Sequence, residues 1–155
     1  MIEDFFRWAA GSALGLAMRD SRFAFPAAES LHLTGLGLLL GSVLLFNLRF
    51  FGFGMKRQTT AELAADFAPW TRLALLIMVV SGIPMFAMKA ADLWEQDLAT
   101  YATKMGLIAV VVVFHYAVQV PLARSGNLGW GKLGAAVSLG LWFGAAMVGL
   151  SLEFL

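Results

Sequence analysis

The chain has 155 residues and a net charge of +1, and 60% of its residues are hydrophobic against 14% that are charged. Soluble globular domains carry about 25% charged residues, so this composition is typical of an integral membrane protein. The balanced charge gives no reason to expect nucleic acid as a partner. The absence of cysteine excludes disulfides, iron–sulfur clusters and thiolate metal sites.

The N-terminal segment, residues 1–22, is amphipathic rather than continuously apolar, so a cleavable signal peptide is not expected. On a helical wheel, Asp4, Arg7 and Arg19 fall on one narrow face, and the opposite face carries Phe5, Phe6, Ala9, Ala13, Leu14, Leu16 and Ala17. This pattern predicts an amphipathic helix that lies in the membrane interface. A short helix packed against the rest of the protein is the alternative.

The remaining residues, 23–155, contain four stretches that reach the roughly 20 apolar residues needed to cross a bilayer. They lie at about 26–52, 69–89, 101–121 and 130–153. Pro69 is expected to start the second span and Pro121 to help end the third. The connecting segments are short, so neighbouring spans should run antiparallel. The predicted fold is an all-α, integral membrane four-helix bundle with an N-terminal amphipathic interfacial helix.

Lysine and arginine residues near the spans predict the orientation of the bundle. Those beside the first and third connectors outnumber those beside the second: they are Arg49, Lys56, Arg57, Arg72, Arg124 and Lys132, against Lys89 and Lys104. Cytoplasmic loops carry the excess of basic residues, so the first and third connectors are predicted to be cytoplasmic.

The two histidines are the main candidates for a functional site. Polar groups are costly inside a bilayer, and an ionisable residue there suggests function. His32 lies in the first span and His115 in the third, and these two spans run parallel in an up-down bundle. We interpret His32 and His115 as ligands of one haem iron. The alternative is that each histidine is structural and hydrogen-bonded within the core.

Three further residues belong to this predicted cofactor site. Lys104 lies on the same helical stripe as His115, about 16 Å away, and could meet a haem propionate. Glu29 is one turn from His32 and could orient its second ring nitrogen. Gly35 would let a flat cofactor or another helix approach closely. Because His32 and His115 differ in depth, His32 with Lys104 is kept as an alternative ligand pair.

Other residues support two competing hypotheses. The methionines Met78, Met85, Met88 and Met105 could form a thioether path for Cu(I) in a copper-handling protein, although methionine also fills gaps in cores. Gly140 and Gly144 form a small-xxx-small motif, which suits a homo-oligomer or a cofactor-free assembly or scaffold subunit. Asn47 and Ser42 could form hydrogen bonds between helices.

The stretch "LHLTGLGLLLGSVLLFNLRFFG", together with "SGIPMF", resembles small four-helix bacterial membrane proteins that include copper-resistance D-type domains and membrane protoporphyrinogen oxidases. The resemblance covers about residues 26–120. A first-helix His and a third-helix Lys followed by a His recur in the oxidases, and His32, Lys104 and His115 occupy the matching positions. The oxidases' second histidine after the first helix is missing from "FNLRFFG", so protoporphyrinogen oxidation is not expected.

The resemblance implies a protein that binds haem b in the bacterial cytoplasmic membrane. With iron held between the first and third spans, the predicted function is electron transfer within the bilayer, either as an electron-transfer protein or as a membrane oxidoreductase. The expected partners are the lipid bilayer and a quinone or another redox membrane protein. No catalytic side chain is predicted.

Overall fold

The structure is a computed structural model that describes residues 1–54 and 57–151. Four of its helical spans are long and apolar enough to cross a membrane: Ala24–Phe51, Thr60–Glu95, Leu98–Ser125 and Leu128–Ser151. This confirms the predicted all-α, four-helix membrane architecture. Lys56 of the orientation prediction and the predicted end of the fourth span at residue 153 lie outside the described residues.

The helices follow one another closely along the chain. In order they are α1 (Ile2–Gly11), α2 (Ala13–Asp20), α3 (Ala24–Leu48), α4 (Thr60–Glu95), α5 (Leu98–Phe114), α6 (Val120–Ser125) and α7 (Leu128–Ser151). A 3₁₀ turn, Arg49–Phe51, extends α3, and a π-helical segment, His115–Gln119, joins α5 to α6 without a break.

The second span begins nine residues earlier than predicted, at Thr60 rather than Pro69. Its start is set by a capping box, in which the Thr59 hydroxyl accepts from the Glu62 amide and the Glu62 carboxylate accepts from the Thr59 amide. This box satisfies amide groups that have no partner within the helix, so the prediction that Pro69 starts the helix was wrong. The helix passes through Pro69 and Pro84 and ends at Glu95.

The third span also continues past its predicted end. Pro121 does not stop the helix, which runs to Ser125 and ends at Gly126 in a left-handed conformation (φ 67°). The π-helical turn ends at Gln119, two residues before Pro121, and the Val120 amide that follows it donates to the His115 carbonyl. A wider turn at this point accommodates a proline, which has no amide hydrogen and crowds the preceding turn.

The N-terminal segment forms two helices rather than one. Ser12 ends α1 and caps α2, because its hydroxyl donates to the Ala9 carbonyl and accepts from the Gly15 amide. Both helices pack against the C-terminal part of α4, where Phe6 and Ala9 are buried with Ala90 and Leu93. The Arg19 guanidinium secures α2 by donating two hydrogen bonds to the Met88 carbonyl.

These helices are amphipathic, as predicted, and they bury one face on the bundle. Ile2 and Trp8 of α1 remain exposed, and Phe5 is half-exposed while its ring stacks on Phe86 of α4. Aromatic and aliphatic residues of this kind suit the membrane interface. The packing seen here is the predicted alternative, and the interfacial position remains a prediction.

The interior of the bundle has three packed layers. The first is the N-terminal layer described above. The middle layer contains Leu39, Val43, Ala74, Val111 and Trp142, and the third contains Phe46, Phe50, Leu63, Ala123 and Ala135. The middle layer separates two cavities, which hold the candidate functional residues.

Candidate functional site

One cavity, of about 350 Å³, lies between all four spans on the side of the second connector. We call it the central cavity. Its wall is mostly aliphatic and aromatic, and its polar side chains are Glu29, His32, Lys89, Tyr101 and Lys104. These five residues lie within a few turns of the ends of α3, α4 and α5. An apolar pocket with a few convergent polar groups is typical of a ligand site, and this volume lies at the lower end of the range for such sites.

His32 is positioned by α4 rather than by a neighbour on its own helix. Its Nδ1 lies 2.9 Å from the hydroxyl of Ser81, which is buried. That hydroxyl donates its only hydrogen to the Ile77 carbonyl, at 2.7 Å. With this hydroxyl donating to Ile77, the Ser81 oxygen is placed to accept a hydrogen bond from the N–H tautomer of His32 at Nδ1.

This hydrogen bond determines what the imidazole can do. In the tautomer that donates from Nδ1 to Ser81, the lone pair lies on Nε2, which is the nitrogen that a metal would bind. Ligating histidines commonly donate their other N–H to a fixed acceptor, which orients the ring and raises its basicity. Ser81 was not among the predicted site residues, although a serine beside a glycine in an apolar span is a visible signal.

Two glycines make room for the nitrogen-bearing side chains. A Cβ at Gly82 would lie 3.3 Å from His32 Cε1, and a Cβ at Gly149 would lie 3.3 Å from Lys104 Cε. His32 lies eight residues into α3 and Lys104 six residues into α5, and both helices begin on the same side of the bundle. The two side chains therefore line the cavity at similar depth, and Glu29 lines it nearer to the membrane surface.

His115 lines a different cavity, of about 260 Å³, between α3, α4 and the π-helical segment. We call it the arginine cavity. Arg72 and Arg124 line it, and the lining residues include no carboxylate. The His115 ring is only 5% exposed and packs against the rings of Phe46, Tyr116 and Trp142. Its Nδ1 has no hydrogen-bond partner among the described residues.

The structure does not bring His32 and His115 together. The His115 ring centroid lies 6.1 Å from that of Phe46, and Phe46 follows His32 by 14 residues on α3. That separation corresponds to about 21 Å along a helix. Two axial nitrogens on one iron are only about 4 Å apart, since each metal–nitrogen bond is about 2 Å. The two imidazoles therefore do not face one iron site in this structure.

Gly35 is not part of either cavity. A Cβ at this position would lie 2.8 Å from Ile77 Cγ2 and 3.0 Å from Met78 Cγ. Of the two predicted uses of Gly35, the structure shows the close approach of another helix, because α3 packs against α4 there. Its assignment as a cofactor-binding residue is replaced by this packing role.

A buried polar network lies beyond the middle layer. The Gln119 amide donates to Asn47 Oδ1 at 2.7 Å, and the Asn47 amide donates to the Ser138 hydroxyl at 3.3 Å and to the Val43 carbonyl. The prediction that Asn47 bonds between helices is confirmed. Ser42 instead donates to the Leu38 carbonyl of its own helix.

Trp142 lies at the boundary between the two cavities. Its ring lines the central cavity and packs 6.3 Å from the His115 ring, centroid to centroid. Its Nε1 is buried without a partner among the described residues. The indole thus forms the wall between the two candidate sites.

The other predicted features have clear positions. Met78, Met85 and Met105 line the central cavity together with His32. Within residues 1–54 and 57–151, no three His, Asp or Glu side chains cluster as metal-ion ligands. Gly140 and Gly144 face open space, since a Cβ at either would meet no atom within 4 Å. Homo-oligomerisation through them remains a prediction.

Fold and site together define a polytopic helical membrane protein with two cavities, each lined by apolar residues and a few polar ones. The chain belongs to DUF6644, a family of unknown function whose model matches residues 5–154. That range includes most of α1 and all of α2 to α7, so the family model covers the whole bundle. No curated protein and no solved structure matches the chain. The resemblance to copper-resistance D-type domains and membrane protoporphyrinogen oxidases remains a prediction.

Proposed function

We propose that this protein binds haem b in the central cavity and carries electrons within the membrane. The observation that supports this most directly is that His32, whose ring is oriented by the buried Ser81, lines the same mostly apolar cavity as Lys104. His32 would supply the axial ligand, and Lys104 would hold a propionate or supply the second nitrogen. When bound, haem supplies one-electron redox chemistry whose potential depends on ligand identity and burial.

The chain's own residues have three tasks in this proposal. Ser81 fixes the orientation and the protonated nitrogen of His32. The aliphatic wall of the cavity keeps water from the cofactor. Lys89 and Lys104, at the end of the cavity near the second connector, would pair with the anionic propionates of the ligand, and Glu29 lines the same end of the cavity. His115 is not assigned to this site, which revises the predicted ligand pair.

The test is the absorption spectrum of the detergent-purified protein after expression with ample haem supply. We expect reduced bands typical of a b-type cytochrome and about one haem per chain. His32→Ala should lose the pigment, and His115→Ala, which removes a buried histidine from the other cavity, should keep it. A colourless wild-type protein, or pigment lost only in His115→Ala, would overturn the proposal.

Ser81→Ala tests how His32 is held. Removal of a hydrogen-bond partner of a ligating histidine typically weakens metal binding by about 10- to 100-fold. We therefore expect haem to be lost to apomyoglobin faster from this variant than from the wild type. Ser42→Ala is the matched control, because Ser42 bonds only within its own helix.

A copper-handling protein is the second candidate, and one observation favours it. Three thioether sulfurs, from Met78, Met85 and Met105, share the central cavity with His32, and such soft ligands select Cu(I). Metal analysis and Cu(I) titration of the haem-free protein separate the two functions. Copper bound at one equivalent, and lost when the three methionines are replaced by leucine, would favour this candidate.

The orientation belongs to the same proposal. We infer that the protein resides in a bacterial cytoplasmic membrane with its first and third connectors in the cytoplasm. Arg49, Arg72 and Arg124 lie at that end of the bundle, and the excess of basic residues supports this orientation. The arginine cavity would then lie near the cytoplasmic surface and the polar end of the central cavity near the opposite surface.

A further inference from the structure

The arginine cavity has features of a binding site that the haem proposal does not use. It occupies the space between α3, α4 and the π-helical segment, and π-helical turns often occur at functional sites. Its buried polar residues are Ser42, Thr71 and His115, and its exposed cations are Arg72 and Arg124. The cavity therefore changes from cationic at its exposed part to neutral and polar where it is buried.

The buried part offers an unsatisfied group to a ligand. The Ser42 and Thr71 hydroxyls donate to carbonyls of their own helices, so only their oxygens remain, as acceptors. The His115 residue is only 5% exposed, and its Nδ1 has no hydrogen-bond partner among the described residues. Leaving a buried polar nitrogen unsatisfied is costly. His115 lines the cavity, but Nδ1 itself has less than 1 Å² of accessible surface, so a ligand oxygen would remove that cost once the imidazole ring turns this nitrogen toward the cavity.

The α4 side of the cavity is lined by small side chains. Ala61, Ala64, Ala65 and Ala68 occur at helical spacing on α4, and all four line the cavity. Small side chains on one helical face leave room for a planar ring. Phe46 and Phe67 line the same space and add aromatic surface.

We propose that the arginine cavity binds the headgroup of a membrane quinone. One carbonyl oxygen would accept a hydrogen bond from His115, the ring would lie on the alanine wall, and the second oxygen would face Arg72. The isoprenoid tail would leave through the gap between α4 and the π-helical segment toward lipid. The role of this quinone as redox partner rests on the haem proposed above, whereas its binding does not.

An acidic lipid headgroup is the competing ligand for two arginines. A phosphate held by Arg72 and Arg124 would place an acyl chain beside His115, which lies nine residues, or about 13 Å, before Arg124 along the helix. An acyl chain cannot accept a hydrogen bond, so the buried imidazole would stay unsatisfied. The unpartnered nitrogen therefore favours the quinone.

The test is calorimetric titration of the full chain, in phosphatidylcholine nanodiscs, with decylubiquinone. We expect saturable binding at one equivalent. His115→Leu should weaken it by about tenfold, which corresponds to one hydrogen bond. Ala68→Leu, which adds a bulky side chain to the alanine side of the cavity and leaves His115 unchanged, should abolish binding. His32→Ala should bind as the wild type does, even where it has lost haem.

Three results would overturn the proposal. The first is the absence of saturable binding. The second is binding of decylubiquinone by His115→Leu and by Ala68→Leu that is as strong as binding by the wild type. The third is retention of phosphatidylglycerol that depends on Arg72 and Arg124 without any binding of the quinone, which would assign the cavity to a lipid headgroup. Because the measurement needs no pigment, failure of the haem proposal and failure of this one are distinguishable.

Discussion

The buried pair Asn47–Gln119 allows a quantitative prediction of how the bundle is stabilised. Asn47→Ala removes two hydrogen bonds between helices, to Gln119 and to Ser138. Such bonds average about 0.6 kcal/mol each in membrane proteins, so their direct loss is about 1.2 kcal/mol. The Gln119 amide is then left unpaired in the core, at a further cost of about 1–3 kcal/mol. We expect the variant to be destabilised by about 2–4 kcal/mol.

The assay is unfolding by sodium dodecyl sulfate in mixed micelles, followed by far-ultraviolet circular dichroism. The double variant Asn47→Ala, Gln119→Ala should be less destabilised than the sum of the two single variants, by about 1 kcal/mol, because each single change already breaks the shared bond. Ser42→Ala is the control, since this buried hydroxyl bonds only within α3. Additive single effects, or an equal loss in the control, would refute the reasoning.

Three other substitutions test the packing. Gly131→Ala would place a methyl group against the buried ring of Phe50, and we expect a loss of about 1–3 kcal/mol in the same assay, whereas Gly140→Ala, which meets no atom, should not destabilise. Gly126→Ala forces a side chain into the left-handed conformation that ends α6, at a cost of about 1 kcal/mol. Arg19→Ala removes both hydrogen bonds between α2 and α4, so amide exchange in residues 13–20 should become faster, and unchanged exchange would contradict this role.

The predicted bundle was correct because one physical condition governs it. A segment that is apolar over about 20 residues must form helix in a bilayer, where every backbone group needs an internal partner. Helix ends were less predictable. Pro69 and Pro121 suggested boundaries, but the Thr59–Glu62 capping box and the π-helical turn moved them. These features depend on local hydrogen bonds that compete with proline's preference for helix ends.

The stripe from Lys104 to His115 was predicted to form one face of a single site, but its two ends lie in different cavities. Ile108 lines the central cavity, Val111 is buried in the middle layer and His115 lines the arginine cavity, so the predicted common face of α5 points inward. A helical wheel gives the angular position of each side chain around the helix axis, but it does not show which residues along one face line the same cavity. The 16 Å between the ends of the stripe was enough to separate them.

The sequence alone determined the class of protein, the number of spans and the interior direction of its few polar residues, because hydrophobic length and period act on each helix separately. Only the tertiary structure decided which polar residues meet. His32 faces Ser81 and shares a cavity with Lys104, while His115 lies with Arg72 and Arg124. Those pairings depend on the relative depth of neighbouring helices, which is set by close packing at small residues such as Gly35 and Gly131.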